Sequence, residues 1–164
     1  MAADDRKHQL VKHIDEAYAM EQQALKMLDS LIRTTDDAEL KQDMEKHRAE
    51  THQQAERLKG RLEAYGESPS KVKEVGGIVG ALMKGVVDQV RKESPGRNVR
   101  DAYATEHLEI ASYQLLERVA KAAGDIETAE VARRNREEEQ KVAHKIDLVW
   151  DKVAELSLQE AGVA

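Results

Sequence analysis

Apolar residues recur along this chain at three- and four-residue steps, in four long runs separated by turn-forming clusters. The first run starts near Asp5 and reaches about Arg33, with Leu10, Ile14, Ala17, Tyr18, Leu25, Leu28 and Ile32 on one stripe. Thr34-Thr35-Asp36-Asp37 then supplies capping side chains for a second helix, expected from about Asp36 to Tyr65 and striped by Leu40, Met44, Leu58 and Leu62. Gly66 is a natural left-handed stop ahead of Ser68-Pro69. Residues 71–92 read as a shorter helical connection, loosened by the glycines of the apolar run 75–83, which suits a packing strip. Ser94-Pro95 or Asn98 caps a third long helix, carrying Val99, Ala102, Ile110, Tyr113, Leu116 and Ala120 and ending at Ala123-Gly124. Asp125 caps the last helix, predicted to run unbroken to about Leu158. The whole chain, 1–164, therefore reads as one all-α domain: hairpin 5–66, connection 67–94, hairpin 95–158. That is the order of a four-helix bundle with one long crossover connection containing a short extra helix.

Each apolar stripe is interrupted at mid-length by polar groups, mostly acids. Glu21 takes an inward position on the first helix; His47, Thr51 and Gln54 do so on the second, with Glu50 on the stripe's edge. Glu106 and Glu109 follow on the third, and Asn135 with Glu138 or Glu139 on the fourth. The levels agree as well. Glu21 and Glu50 are equidistant from the Thr34–Asp37 reversal, and Glu109 and Glu139 are equidistant from Gly124. At about 1.5 Å per residue, a two-position error displaces a group by only about 3 Å.

Burying several unpaired carboxylates would consume most of a domain's ~5–15 kcal/mol stability. Protonation, basic partners or divalent cations could offset it. The stripes carry no Lys or Arg at these heights, only His47 and the less secure His107. Hard oxygen ligands with an imidazole suit iron or manganese. His47 lies three residues before Glu50, which puts both on one helical face. Tyr18 and Tyr113 read as core aromatics whose hydroxyls bond a carboxylate, and Trp150 as packing near the bundle end. His8, His13, His52 and His144 fall outside the inner faces.

Composition narrows the class. The absence of cysteine excludes disulfides, thiolate metal sites and cysteine nucleophiles. Aromatics at 3% and charged residues at 35% fit long amphipathic helices better than a sheet. A net charge of -6, and basic residues interleaved with acids, argue against nucleic-acid binding. No apolar run reaches the ~20 residues of a membrane span. Met1-Ala2-Ala3-Asp4-Asp5 lacks a signal peptide's basic start and apolar stretch, so a cytoplasmic protein is expected.

The motif Arg100-Asp101-Ala102 followed by Glu106-His107-Leu108-Glu109-Ile110-Ala111-Ser112-Tyr113 resembles the third-helix signature of the YciF-like family, in the ferritin-like superfamily. His47-Arg48-Ala49-Glu50-Thr51, with Gln54 and Leu58, is similar to its second-helix pattern, and Tyr18-Ala19-Met20-Glu21-Gln22 to its first-helix acid motif. Glu137-Glu138-Glu139 matches its acidic fourth helix more loosely. The resemblance implies a ferritin-like bundle, a homodimer, a dinuclear centre of iron or manganese, and a role in stress. Its implied ligands are Glu21, Glu50, Glu106, Glu109 and one of Glu138 or Glu139, with His47 beside them. The chain departs from the Glu-x-x-His motifs of ferritin and rubrerythrin: Gln53 follows Glu50, and Lys141 and Val142 follow Glu138 and Glu139 at that spacing.

Two functions are consistent with this pattern. One is a ferritin-like protein that binds two divalent ions and handles iron, oxygen or peroxide during stress. The other is a helical structural or interaction protein on the same scaffold, without a working metal centre. The residues specify ligands rather than a reaction, so the pattern does not by itself make the chain an enzyme.

Overall fold

The structure is a computed structural model that describes residues 2–69 and 95–163. Five helices account for nearly all of them: α1 (Ala2–Thr34), α2 (Ala38–Ala64), α3 (Pro95–Ala123), α4 (Ile126–Asp147) and α5 (Trp150–Glu160). The short helix expected at 71–92 lies outside the described residues.

Local chemistry sets the ends. The Asp37 carboxylate accepts from the Glu39 and Leu40 amides at 3.1 and 2.9 Å, capping α2. Gly66 takes φ 76°, and its amide and that of Glu67 return to Glu63 and Leu62 carbonyls, which ties off the last turn. Gly124 repeats the device at φ 78°. The next residue, Asp125, caps α4 by accepting from the Thr128 amide at 2.9 Å. Pro95 occupies the first position of α3, where its missing N–H costs nothing.

Pairwise packing places α1 beside α2 and α3, and α4 beside α2 and α3, so the four long helices form a square in cross-section. Arg6 bonds the Ala122 carbonyl and Thr105 reaches Met27 Sδ, which makes α3 antiparallel to α1. Gln54 to Glu139 and Arg61 to Thr128 likewise make α4 antiparallel to α2. With α1 running up, α2 and α3 both run down and α4 runs up. Hence α2 ends and α3 begins at opposite ends of the bundle, which is the signature of the crossover.

Two expectations change. The final helix is broken at Leu148-Val149, whose amides close tight three-residue turns onto Lys145 and Ile146. The break lets α5 bend onto α3: Val153 is buried and Trp150 meets Tyr103 edge-on at 5.6 Å. On α1 the apolar stripe is wider than one row, with Met20, Ala24, Met27 and Leu31 buried and Ile32 only half-buried. The reason is position, because α1 presents separate faces to α2 and α3.

The core falls into two parts. Leu10, Ile14, Leu58, Leu62, Leu116 and their neighbours fill one end, and Met27, Leu31 and Ala102 lie toward the other. Between them is a polar layer.

Candidate metal centre

All four long helices contribute to that layer. Glu21 from α1, His47 and Gln54 from α2, Glu106, Glu109 and Tyr113 from α3, and Asn135 and Glu139 from α4 are all buried. Each sits on its helix's inner stripe, one or two turns from apolar neighbours, so packing of the two core ends drags the polar groups inside.

The tightest grouping is His47, Glu106 and Glu139, whose ligand atoms lie within 4.8 Å of one another. His47 Nε2 stands 3.1 Å from Glu106 Oε1 and 3.9 Å from Glu139 Oε2. Burial disfavours the imidazolium, but the charge and hydrogen bond of Glu106, with the charges of Glu21 and Glu50, raise His47 above its ordinary value. Burial also pushes Glu106 upward, yet the facing His47 holds it below the usual carboxylate range. The remaining inner acids shift the other way. Burial pushes Glu21 up to about 8, despite the Tyr113 hydrogen bond. Burial, reinforced by the neighbouring carboxylates, raises Glu109 and Glu139 well above normal.

Several polar atoms in the layer are unsatisfied. Glu21 Oε2, Glu106 Oε2, Glu109 Oε1, Glu139 Oε2 and His47 Nδ1 are buried without hydrogen-bond partners among the described residues. Each orphan costs roughly 1–3 kcal/mol, more where charged. Hard carboxylate oxygens without partners, grouped around the His47 imidazole, fit a divalent cation.

The other candidates sit elsewhere. Glu50 is half-buried at the edge of α2 and reaches the centre as an electrostatic neighbour of His47. Of the consecutive pair on α4, Glu139 points inward. Glu138 turns aside, paired with Arg57 at 2.8 Å and Arg134 at 3.2 Å. His107 is exposed and lies edge-on to Tyr103 at 4.5 Å. Tyr113 hydrogen-bonds Glu21 and accepts from Asn135 Nδ2 at 3.0 Å, whereas Tyr18 packs half-buried against the core's edge. His8, His52 and His144 are exposed, and His13 is half-buried against Glu16 at 3.2 Å.

The stripes themselves carry no Lys or Arg at this height, but a basic side chain reaches the layer from beside them. Arg57, three residues beyond Gln54, hydrogen-bonds Asn135 Oδ1 and Glu138 from the edge of α2. A long side chain can lie along a bundle edge and deliver its charge inward, so helical phase alone misses it. Gln54 Nε2 donates to both Glu139 and Glu138, the latter at 3.3 Å. A continuous chain of hydrogen bonds therefore runs Glu21–Tyr113–Asn135–Arg57–Glu138–Gln54–Glu139.

A cavity of about 80 Å³ approaches the centre from the opposite end of the layer. Leu28, Leu31, Ala102 and Val142 line it, His47 and Glu106 form its polar end, and Asp43 and Lys145 also border it.

A four-helix bundle with this up-down-down-up order has the ferritin-like fold. The chain belongs to the family described as "Domain of unknown function (DUF892)", which matches residues 6–159. It is 33% identical to protein YciF of Escherichia coli strain K12 over 135 residues, covering 77% of this chain and 78% of that protein. The crystal structure of YciF, described as a stress protein, matches with a TM-score of 0.77 at 24% identity, over 92% of this chain and 97% of that one. A protein of Xanthomonas campestris pv. campestris matches at 0.80 and 29% identity, over 96% and 99% of the two chains. The bacterioferritin of Desulfovibrio desulfuricans, which has a diiron site, shares the fold at 0.78 and 24% identity, over 99% of this chain and 90% of that one. No helix among the described residues is long and apolar enough to cross a membrane.

Proposed function

We propose that the protein is a ferritin-like metal-binding protein whose buried layer holds two divalent ions, iron foremost and manganese next. His47, Glu106 and Glu139 are the primary ligands, and Glu21 and Glu109 are the inner carboxylates that complete the set. Glu50 is an edge ligand reached by a rotamer change. Glu138 was a candidate on sequence, but its pairing with Arg57 and Arg134 makes it a flanking acid. The observation that carries this reading is the inward, unpartnered set of carboxylate oxygens around His47.

Bound there, iron would supply redox chemistry toward oxygen or peroxide. The protein's own part is to fix the carboxylates from four helices, to exclude bulk water, and to give small neutral molecules a largely apolar approach through the cavity lined by Ala102 and Val142. YciF is described as a stress protein, and a part for this chain in iron or peroxide handling under stress, as a cytoplasmic homodimer, is the reading in keeping with that.

Metal analysis of protein purified without chelator tests the binding claim. About two iron or manganese atoms per chain are expected, falling in a Glu139→Ala variant. No metal, even after anaerobic reconstitution with iron(II), would remove it. Iron(II)-dependent peroxide consumption then tests turnover: equal rates with and without the protein would leave binding alone.

A second reading has its own observation. The hydrogen-bond chain from Glu21 to Glu139 satisfies part of the layer with protein groups alone. A structural or interaction protein with no metal would have such a network, and would gain stability as its acids protonate without responding to added metal.

A further inference from the structure

The cavity that ends at His47 and Glu106 draws its walls from all four long helices, among them Leu28, Leu31, Ala102, Val142 and Ile146. Half-buried Asp43 and exposed Lys145 mark its solvent side. The two residues at the inner end are only 6% and 1% exposed. They engage each other through His47 Nε2 and Glu106 Oε1 at 3.1 Å, yet each keeps a buried atom without a hydrogen-bond partner, His47 Nδ1 and Glu106 Oε2. An apolar chamber closed by a carboxylate oxygen and a ring nitrogen has the make-up of a site for a small organic molecule.

At about 80 Å³ the chamber holds about three or four non-hydrogen atoms, on the standard that a ~150 Å³ cavity takes benzene. A second cavity of about 200 Å³ lies at the end of the bundle, bordered by Thr34, Asp36 and Gln159. Leu40, Met44 and Val99 border both cavities, so these side chains stand between them. Met44 is unbranched and half-buried, and its sulfur is held only by a long 3.7 Å contact from the Thr35 hydroxyl. It is the side chain of the three that swings aside most cheaply.

We propose that the cavity binds a small aliphatic molecule with one O–H head, an alcohol or its hydroperoxide. The head sits at His47 and Glu106, and the chain runs toward Leu40 and Met44. The O–H donates to Glu106 Oε2, and its oxygen accepts from His47 Nδ1 when that nitrogen carries the proton. Where a cation of the inner group takes Glu106 Oε2, the head keeps the His47 contact. A charged head does not suit the site: among apolar walls, a carboxylate meets Glu106 and an ammonium meets His47. Chains longer than the chamber displace Met44 and enter the second cavity. The binding claim stands on the metal-free protein, and only the choice between the two heads rests on the function proposed above.

Crystals of the metal-free full chain soaked in 2-(methylselanyl)ethanol test the site, the selenium marking the chain. The expected result is an oxygen within hydrogen-bond distance of Glu106 Oε2 or His47 Nδ1, and a selenium peak farther out on the Met44 side. Ordered water alone at the inner end, or selenium nearer to His47 than the oxygen, overturns the proposal. Calorimetric titration with butan-1-ol, pentan-1-ol and hexan-1-ol checks it in solution. Affinity should rise about fourfold per methylene. It should fall tenfold or more in Ala102→Leu, which fills the chamber, with Ala102→Val as the milder variant if the first does not fold. Affinity that ignores chain length, or is unchanged in the folded variant, overturns the proposal. Iron(II)-loaded protein then separates the heads: butyl hydroperoxide consumed about tenfold faster than hydrogen peroxide identifies the hydroperoxide, and equal rates identify the alcohol. Failure to bind metal removes only this last comparison and leaves the crystal and the titrations to decide the site.

Discussion

The Tyr113 hydroxyl hydrogen-bonds Glu21 across the α1–α3 interface while accepting from Asn135 on α4, so one buried phenol joins three helices at the level of the carboxylates. Tyr113 is fully buried, and burial together with the Glu21 charge raises its pKa well above normal. It is therefore a neutral donor at every working pH. Tyr113→Phe should lower unfolding free energy by about 1–3 kcal/mol, since Glu21 and Asn135 both lose a buried partner. Urea denaturation of the metal-free protein at pH 7 measures this.

The stability of the metal-free protein should depend on pH in a way that the inner acids dictate. Glu21, near 8, and Glu109 and Glu139, also raised, hold protons in the folded state that the unfolded chain releases above about 4.5. Folded protein then binds more protons than unfolded, so stability falls as pH climbs from 4.5 toward 8. His47, raised by Glu106, acts in the same direction and loses its contribution as pH rises through its folded value. Asp125, lowered to about 2, and the lowered Glu117 and Glu138 oppose only on the acid side, below about 4.5. The melting temperature of chelator-treated protein should rise from pH 8 to pH 5 and drop again below 4. Differential scanning calorimetry across that range checks both limbs.

Divalent metal should flatten or reverse that slope, because a cation takes the place of the protons on Glu21, Glu109 and Glu139. Saturating manganese(II) is expected to raise the melting temperature more at pH 8 than at pH 5. The same shift at both pH values would mean that the cation binds away from the raised acids.

His47→Ala should weaken cobalt(II) binding on the order of 100-fold or more, by removing the imidazole and the counter-charge of Glu106. Calorimetric titration reads the affinity. His107→Ala removes a similar ring at an exposed position and should leave it unchanged.

Asp125 joins the far end of the bundle. It caps α4 and receives Arg61 at 3.1 Å and the Tyr65 hydroxyl at 2.6 Å from the end of α2. Asp125→Ala should cost about 1–2 kcal/mol from the lost cap, with the lost Arg61 pairing in addition. Thermal melts with and without metal should shift by the same amount, because this cluster lies away from the centre.

Periodicity and turn chemistry were enough to determine that the chain makes two helical hairpins, that helices end or begin at the Thr34–Asp37 cluster, Gly66, Gly124 and Asp125, and that acids interrupt the stripes at one height. Those features follow from spacing and backbone preference, which are local. The resemblance carried by residues 100–113 pointed to the family in the same way, through a local run of residue types. Three things waited for the tertiary structure. Glu139 rather than Glu138 turned inward because the packing of α4 against α2 and α3 sets the rotation of α4 more finely than a 100° step reveals. Arg57 entered the layer because a flexible side chain's reach depends on what stands across the interface, here Asn135 and Glu138. The break at Leu148-Val149 has no glycine or proline to announce it. It exists because Val153 and Trp150 find an apolar seat on α3, and that contact is made between residues some fifty positions apart.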